Sequence, residues 1–135
     1  MKQLCCGAKF AMTFGDASPE VMLLTAVLLA AALGSIVIWA LALRRLARSP
    51  GDLAPRTLAT LDGWRGGGPL IAAAGAAHVM MNFFVAVYAY APVTSYQEYA
   101  PGLAEAAMIL WAGFQAGGIA ALCGGHLRGH LRQQA

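Results

Sequence analysis

The stretch GGPLIAAAGAAHVMMNFFVAVYAYAP, residues 67–92, decides the fold. It contains no Asp, Glu, Lys or Arg. From 69 to 91 it exceeds the roughly 20 residues that a helix needs to cross the hydrocarbon core. Its polar members, His78 and Asn82, stand four apart and so share one helix face with Ile71, Gly75 and Val85. Polar side chains are costly in lipid, and they point at a cavity, a partner helix or one another. The alternative for His78 is a buried imidazole bonded to a neighbouring backbone.

Two more runs of the same kind flank this one. Residues 21–43 are uncharged and end abruptly at Arg44, Arg45 and Arg48; with Glu20 at its head, this span covers about 20–43. The third runs over about 102–125, with Glu105 in its opening turn. Pro69 and Pro101 stand where helices begin, because a missing N–H costs little there. Ser18-Pro19-Glu20 likewise reads as a helix start, with Ser18 as N-cap.

The composition agrees. Of 135 residues, 59% are hydrophobic and 11% charged, where a soluble domain carries about a quarter charged residues. Mean hydropathy is +0.62. The net charge of +3 comes from clustered arginines without interleaved aromatics, so no nucleic-acid partner is expected. Cys5, Cys6 and Cys123 form no CxxC and no disulfide framework. No nucleophile elbow, phosphate loop or HExxH occurs, so neither an enzyme nor a bound cofactor is expected.

Charge sets the expected topology. The loop 44–68 holds Arg44, Arg45, Arg48, Arg56 and Arg65, and the tail 126–135 holds Arg128 and Arg132. The loop after the second span holds no Lys or Arg. The positive-inside rule puts loop 44–68 and the tail in the cytoplasm and residues 1–17 outside, against the weaker opposing vote of Lys2 and Lys9. Tyr88, Tyr90, Tyr96 and Tyr99 then form an outer aromatic belt. Residues 18–135 make a single three-helix membrane domain.

Small residues recur at four-residue spacing: Gly113, Gly117, Ala121 and Gly125 in the third span, and Ala72 and Ala76, with Ala73 and Ala77, in the second. Such ladders let backbones approach, within the chain or between copies. Glu105 is either an ion-path carboxylate or a helix N-terminal acid favoured by the macrodipole. Gln115 lies about 80° away from it around the helix and forms no stripe with it. Cys123, His126 and His130 share a face at metal-ligand spacing, but one helix gives an incomplete shell, so no metal is expected. A haem between histidines is disfavoured within one chain, because His78 lies about 14 Å inside its span while His126 is at the inner end of the third.

The order of these motifs resembles the MotA/TolQ/ExbB proton-channel family, in its ExbB/TolQ branch. That branch has a second-span pattern close to G-P-L-L-G-L-L-G-T-V-x-G-I-M-x-x-F. Residues 68–84 read GPLIAAAGAAHVMMNFF, matching at Gly68, Pro69, Leu70, Gly75, Met81 and Phe84. Its third span opens G-[IL]-A-E-A-L; here GLAEAA spans 102–107, and Gly113 matches a glycine further in. The first-span end, GSIVIWALALRRLAR, is similar to the family's Ser, Trp and basic cluster. The resemblance covers nearly all of the chain after residue 17.

The resemblance implies an all-α membrane protein with three transmembrane helices, N-out and C-in, in the bacterial inner membrane. It implies assembly into a ring, a pentamer of copies, around an ExbD/TolR-like single-span partner, with the proton-motive force doing work on a periplasmic or outer-membrane target. Glu105, His78 and Asn82 would be the polar contacts, and Gly75, Gly113 and Gly117 the close-packing positions. Two family threonines are replaced, by Ala76 and Leu110, and the cytoplasmic loop is short. Those departures keep open a structural membrane subunit that conducts nothing and, less favoured, a haem-binding anchor.

Overall fold

The computed structural model describes residues 14–48, 55–90 and 96–134, and the first-segment residues Lys2, Lys9, Cys5 and Cys6 lie outside them. Three long helices carry the fold: α1 (Pro19–Arg48), α2 (Pro55–Tyr90) and α3 (Tyr96–Gln134). Each contains a window long and apolar enough to cross a membrane. The chain is therefore an all-α, multi-pass membrane protein. α3 packs along both other helices, and α1 and α2 touch each other far less.

α1 starts as its sequence indicates. The Met22 N–H donates to the Ser18 carbonyl at 3.0 Å, which makes Ser18 the N-cap and Pro19 the first helical residue. Glu20 occupies the first turn, and Arg45 and Arg48 the last, both favourable to the macrodipole. The buried positions of α1 are Val21, Thr25, Leu28, Ala32, Ser35, Ala42 and Leu46. They alternate steps of three and four, with half-buried Trp39 filling the gap. This is the seam of a left-handed helix pair.

α2 and α3 differ from the sequence expectation at their prolines. Pro69 and Pro101 both lie inside continuous helices rather than at helix starts. α2 reaches back to Pro55, so much of the 44–68 loop is helical, Gly66-Gly67-Gly68 included. An interior proline leaves the carbonyl four residues earlier without its amide donor, and here that residue is Arg65. Gly117 of α3 faces this site. A Cβ on Gly117 would stand 2.7 Å from Pro69 Cδ and 3.0 Å from the Arg65 carbonyl oxygen. The bare backbone of α3 therefore lies against both the proline ring and the freed carbonyl.

The core is built from small residues. Ala72, Ala112 and Ala116 are fully buried, with Leu28 and Ile109 in one cluster and Leu61 and Leu127 in another nearer the arginine-rich end. Leu33, Leu70, Phe114 and Leu122 point outward, as lipid-facing side chains do. Because lipid is as apolar as leucine, the bundle is held by close van der Waals contact rather than by withdrawal from water.

The helices are staggered. The head of α1 lies level with His78 and Glu105, because Ser18 and Glu20 contact them. α2 continues from His78 to Tyr90, a further 18 Å or so at 1.5 Å per residue. The α2–α3 hairpin thus extends beyond α1, carrying Phe84, Val85 and Tyr88 exposed. His78 sits in the middle of its own apolar run but at the end of its neighbour's.

Candidate functional site

One end of the bundle gathers the polar residues of all three helices. Ser18 and Glu20 come from α1, His78 and Asn82 from α2, and Glu105 from α3; all five line one cleft of ≈ 570 Å³. Its floor is apolar, formed by Leu24, Gly75, Val79, Phe83 and Ile109.

Helix geometry explains the first pairing. His78 and Asn82 are one turn apart, and Asn82 Nδ2 lies 3.0 Å from His78 Nε2. With the amide as donor, Nε2 accepts and the ring proton is on Nδ1. His78 Nε2 also lies 3.9 Å from Glu20 Oε2, an ion pair when the imidazole is protonated. Both side chains are exposed, at 56% and 82%, so water screens this pair in the isolated chain. The imidazole is bonded to a side chain and not, as for a buried histidine, to backbone.

Glu105 is held against another helix. It lies well inside α3, which starts at Tyr96, so it is not a first-turn acid of its own helix. Its Oε1 instead accepts the Ser18 N–H at 3.1 Å. That places a carboxylate against the N-terminus of α1, where the dipole and free amides of another helix favour it. Glu20 was readable in sequence only as a helix-start acid. Its place opposite His78 arises from packing, and no local signal announces it.

The three glycines expected at packing positions all sit at close approaches. A Cβ on Gly113 would be 2.1 Å from the Ala72 Cβ and 2.8 Å from the Gly68 carbonyl oxygen. Gly117 meets Pro69 as described, and Gly75 faces Leu24 Cδ2 at 2.3 Å and Ile109 Cγ2 at 3.3 Å. These ladders join α2 to α3 inside the chain, with α1 adding Leu24. Below the cleft the interior turns apolar. Ala76, at one of the threonine positions of the resembled family, is buried, and Leu110, at the other, is partly buried. A hydroxyl does remain there: Thr25 of α1 is fully buried, and its Oγ1 has no hydrogen-bond partner among the described residues.

A second polar group occupies the arginine-rich end. Trp39 Nε1 donates to His126 Nδ1 at 3.2 Å, and the two rings meet edge to face at 5.6 Å. His126 and His130 are in turn in contact, with centroids 4.7 Å apart. Arg128 pairs with Asp62, tying α3 to α2. Cys123 is buried nearby, but among the described residues no group of three His, Cys, Asp or Glu side chains is arranged to hold a metal ion. Level for level, His78 and His126 lie about 28 Å apart along the bundle, so one chain offers no bis-histidine pair. Comparison with family models, with curated proteins and with solved structures gives no match.

Proposed function

We propose that this chain is an ExbB/TolQ-like subunit of a proton-motive-force-driven complex in a bacterial inner membrane. In this reading it is a proton-handling membrane subunit rather than an enzyme. Copies of it would form a ring, with an ExbD/TolR-like single-span protein as partner and the acidic cleft on the outer side. The observation that carries the reading is the convergence of Glu20, His78, Asn82 and Glu105 from three helices on one cleft. An imidazole beside a carboxylate is a group that can take up and pass on a proton.

Within one chain the polar group stops at the cleft, so the path would have to continue on a partner's residues. The test is proton flux in proteoliposomes, with and without a single-span partner bearing a membrane carboxylate. Flux that needs the partner and falls in both His78→Gln and Glu105→Gln supports the proposal. Absence of flux from folded, assembled protein overturns it and leaves a non-conducting structural subunit. The fully buried Ala72, Ala112 and Ala116 below the cleft favour that second reading.

A further inference from the structure

We infer that the cleft binds an organic cation with an apolar body, and that Glu20 and Glu105 recognise its charge. The inference does not depend on ring assembly or on proton flow. A proton relay needs a row of exchangeable groups and little space. This cleft has ≈ 570 Å³ and is open between three helices, a volume within the roughly 300–1,000 Å³ of small-molecule sites. Its lining follows the same pattern, mostly apolar with a few converging polar groups.

Charge selects the ligand. The titratable groups lining the cleft are Glu20 on α1, His78 on α2 and Glu105 on α3. With His78 neutral, the described residues give the cleft two negative charges, and no Lys or Arg among them lines it. An anion is therefore repelled, and a neutral molecule gains nothing from the two carboxylates. A hydrated metal ion matches the carboxylates but not the floor of Leu24, Val79, Phe83 and Ile109. A cation with an apolar body satisfies both. Phe83 is among the lining residues, and the face of an aromatic ring attracts a cation. Such compounds partition into the bilayer, and the cleft lies at the head of α1, where the membrane surface would be.

The competition with protons has a definite sign. Protonation of Glu20 or Glu105 removes negative charge, and protonation of His78 adds positive charge. All three weaken binding of a cation as the pH falls.

The test uses the full chain in nanodiscs of neutral lipid with tetraphenylphosphonium as probe and triphenylphosphine oxide as its neutral counterpart. Equilibrium dialysis should give saturable binding of the cation that is at least about tenfold weaker in E20Q/E105Q, the equivalent of one lost charge interaction. Binding should also weaken as the pH is lowered, because each protonation removes a negative charge from the cleft or adds a positive one. Gln at 105 keeps an oxygen for the Ser18 N–H, and Glu20 is exposed, so both substitutions leave the packing intact; gel filtration and thermal melting check this. Unsaturable partitioning, equal affinity in E20Q/E105Q, or equally tight binding of the phosphine oxide would each overturn the inference. Loss of proton flux with cation binding retained would reject the transducer and leave this site standing.

Discussion

Consider a single methyl group added at Gly113. Its carbon would be built 2.1 Å from the Ala72 Cβ and 2.8 Å from the Gly68 carbonyl oxygen. Non-bonded carbons rest about 3.5–4.0 Å apart, so α2 and α3 must separate locally by about 1.5 Å. Neither obstacle can swing aside, since one is an alanine and the other is backbone. A radial gap of about 0.5–1 Å already forfeits a quarter to a half of each contact, and overpacking of this kind costs about 1–3 kcal/mol. Replacing a helical glycine by alanine returns about 0.5–1 kcal/mol. The expected net for Gly113→Ala is therefore a loss of up to about 2.5 kcal/mol.

Gly75 and Gly118 provide the comparison. At Gly75 the nearest atom is Leu24 Cδ2, the end of a flexible side chain, and the expected net change is about zero. At Gly118 nothing lies within 4 Å, and alanine should stabilise by about 0.5–1 kcal/mol. The assay is reversible unfolding in mixed micelles for the three alanine variants. If Gly113→Ala unfolds like Gly118→Ala, then α2 and α3 do not touch through Gly68, Ala72 and Gly113, and the packing argument is wrong.

Other consequences are as specific. Thr25→Val replaces a buried hydroxyl that has no partner by a methyl of similar shape, and should leave stability unchanged or raise it by about 1 kcal/mol in the same unfolding assay. Trp39→Phe removes the donor to His126 and should cost about 0.5–1.5 kcal/mol. Arg128→Gln breaks a half-exposed pair with Asp62 and should cost no more than about 1 kcal/mol, measured against the Asp62→Asn variant in a double-mutant cycle.

By itself the sequence determined the three helices, because unbroken apolar length in a chain this poor in charge leaves the backbone few other ways to satisfy its hydrogen bonds in lipid. It also determined the local pairings. His78 and Asn82 meet because they are one turn apart, and Ser18 caps α1 because a hydroxyl residue precedes Pro19. Small-residue ladders marked the packing faces of α2 and α3, but the inward face of α1 was not legible from amphipathicity. Helices apolar nearly all round carry little amphipathic signal, and the inward residues of α1 stand out only by their spacing of three and four. The prolines misled because a proline normally marks a helix start, whereas here α2 runs through Pro69 and α3 through Pro101. The cleft was decided by tertiary structure alone. Glu20, His78 and Glu105 are far apart in the chain, and the stagger of α1 against the α2–α3 hairpin brings them level. The same stagger moves His78 from mid-span to the level where its neighbour begins, since depth in a bundle depends on the register between helices and not on position within one of them.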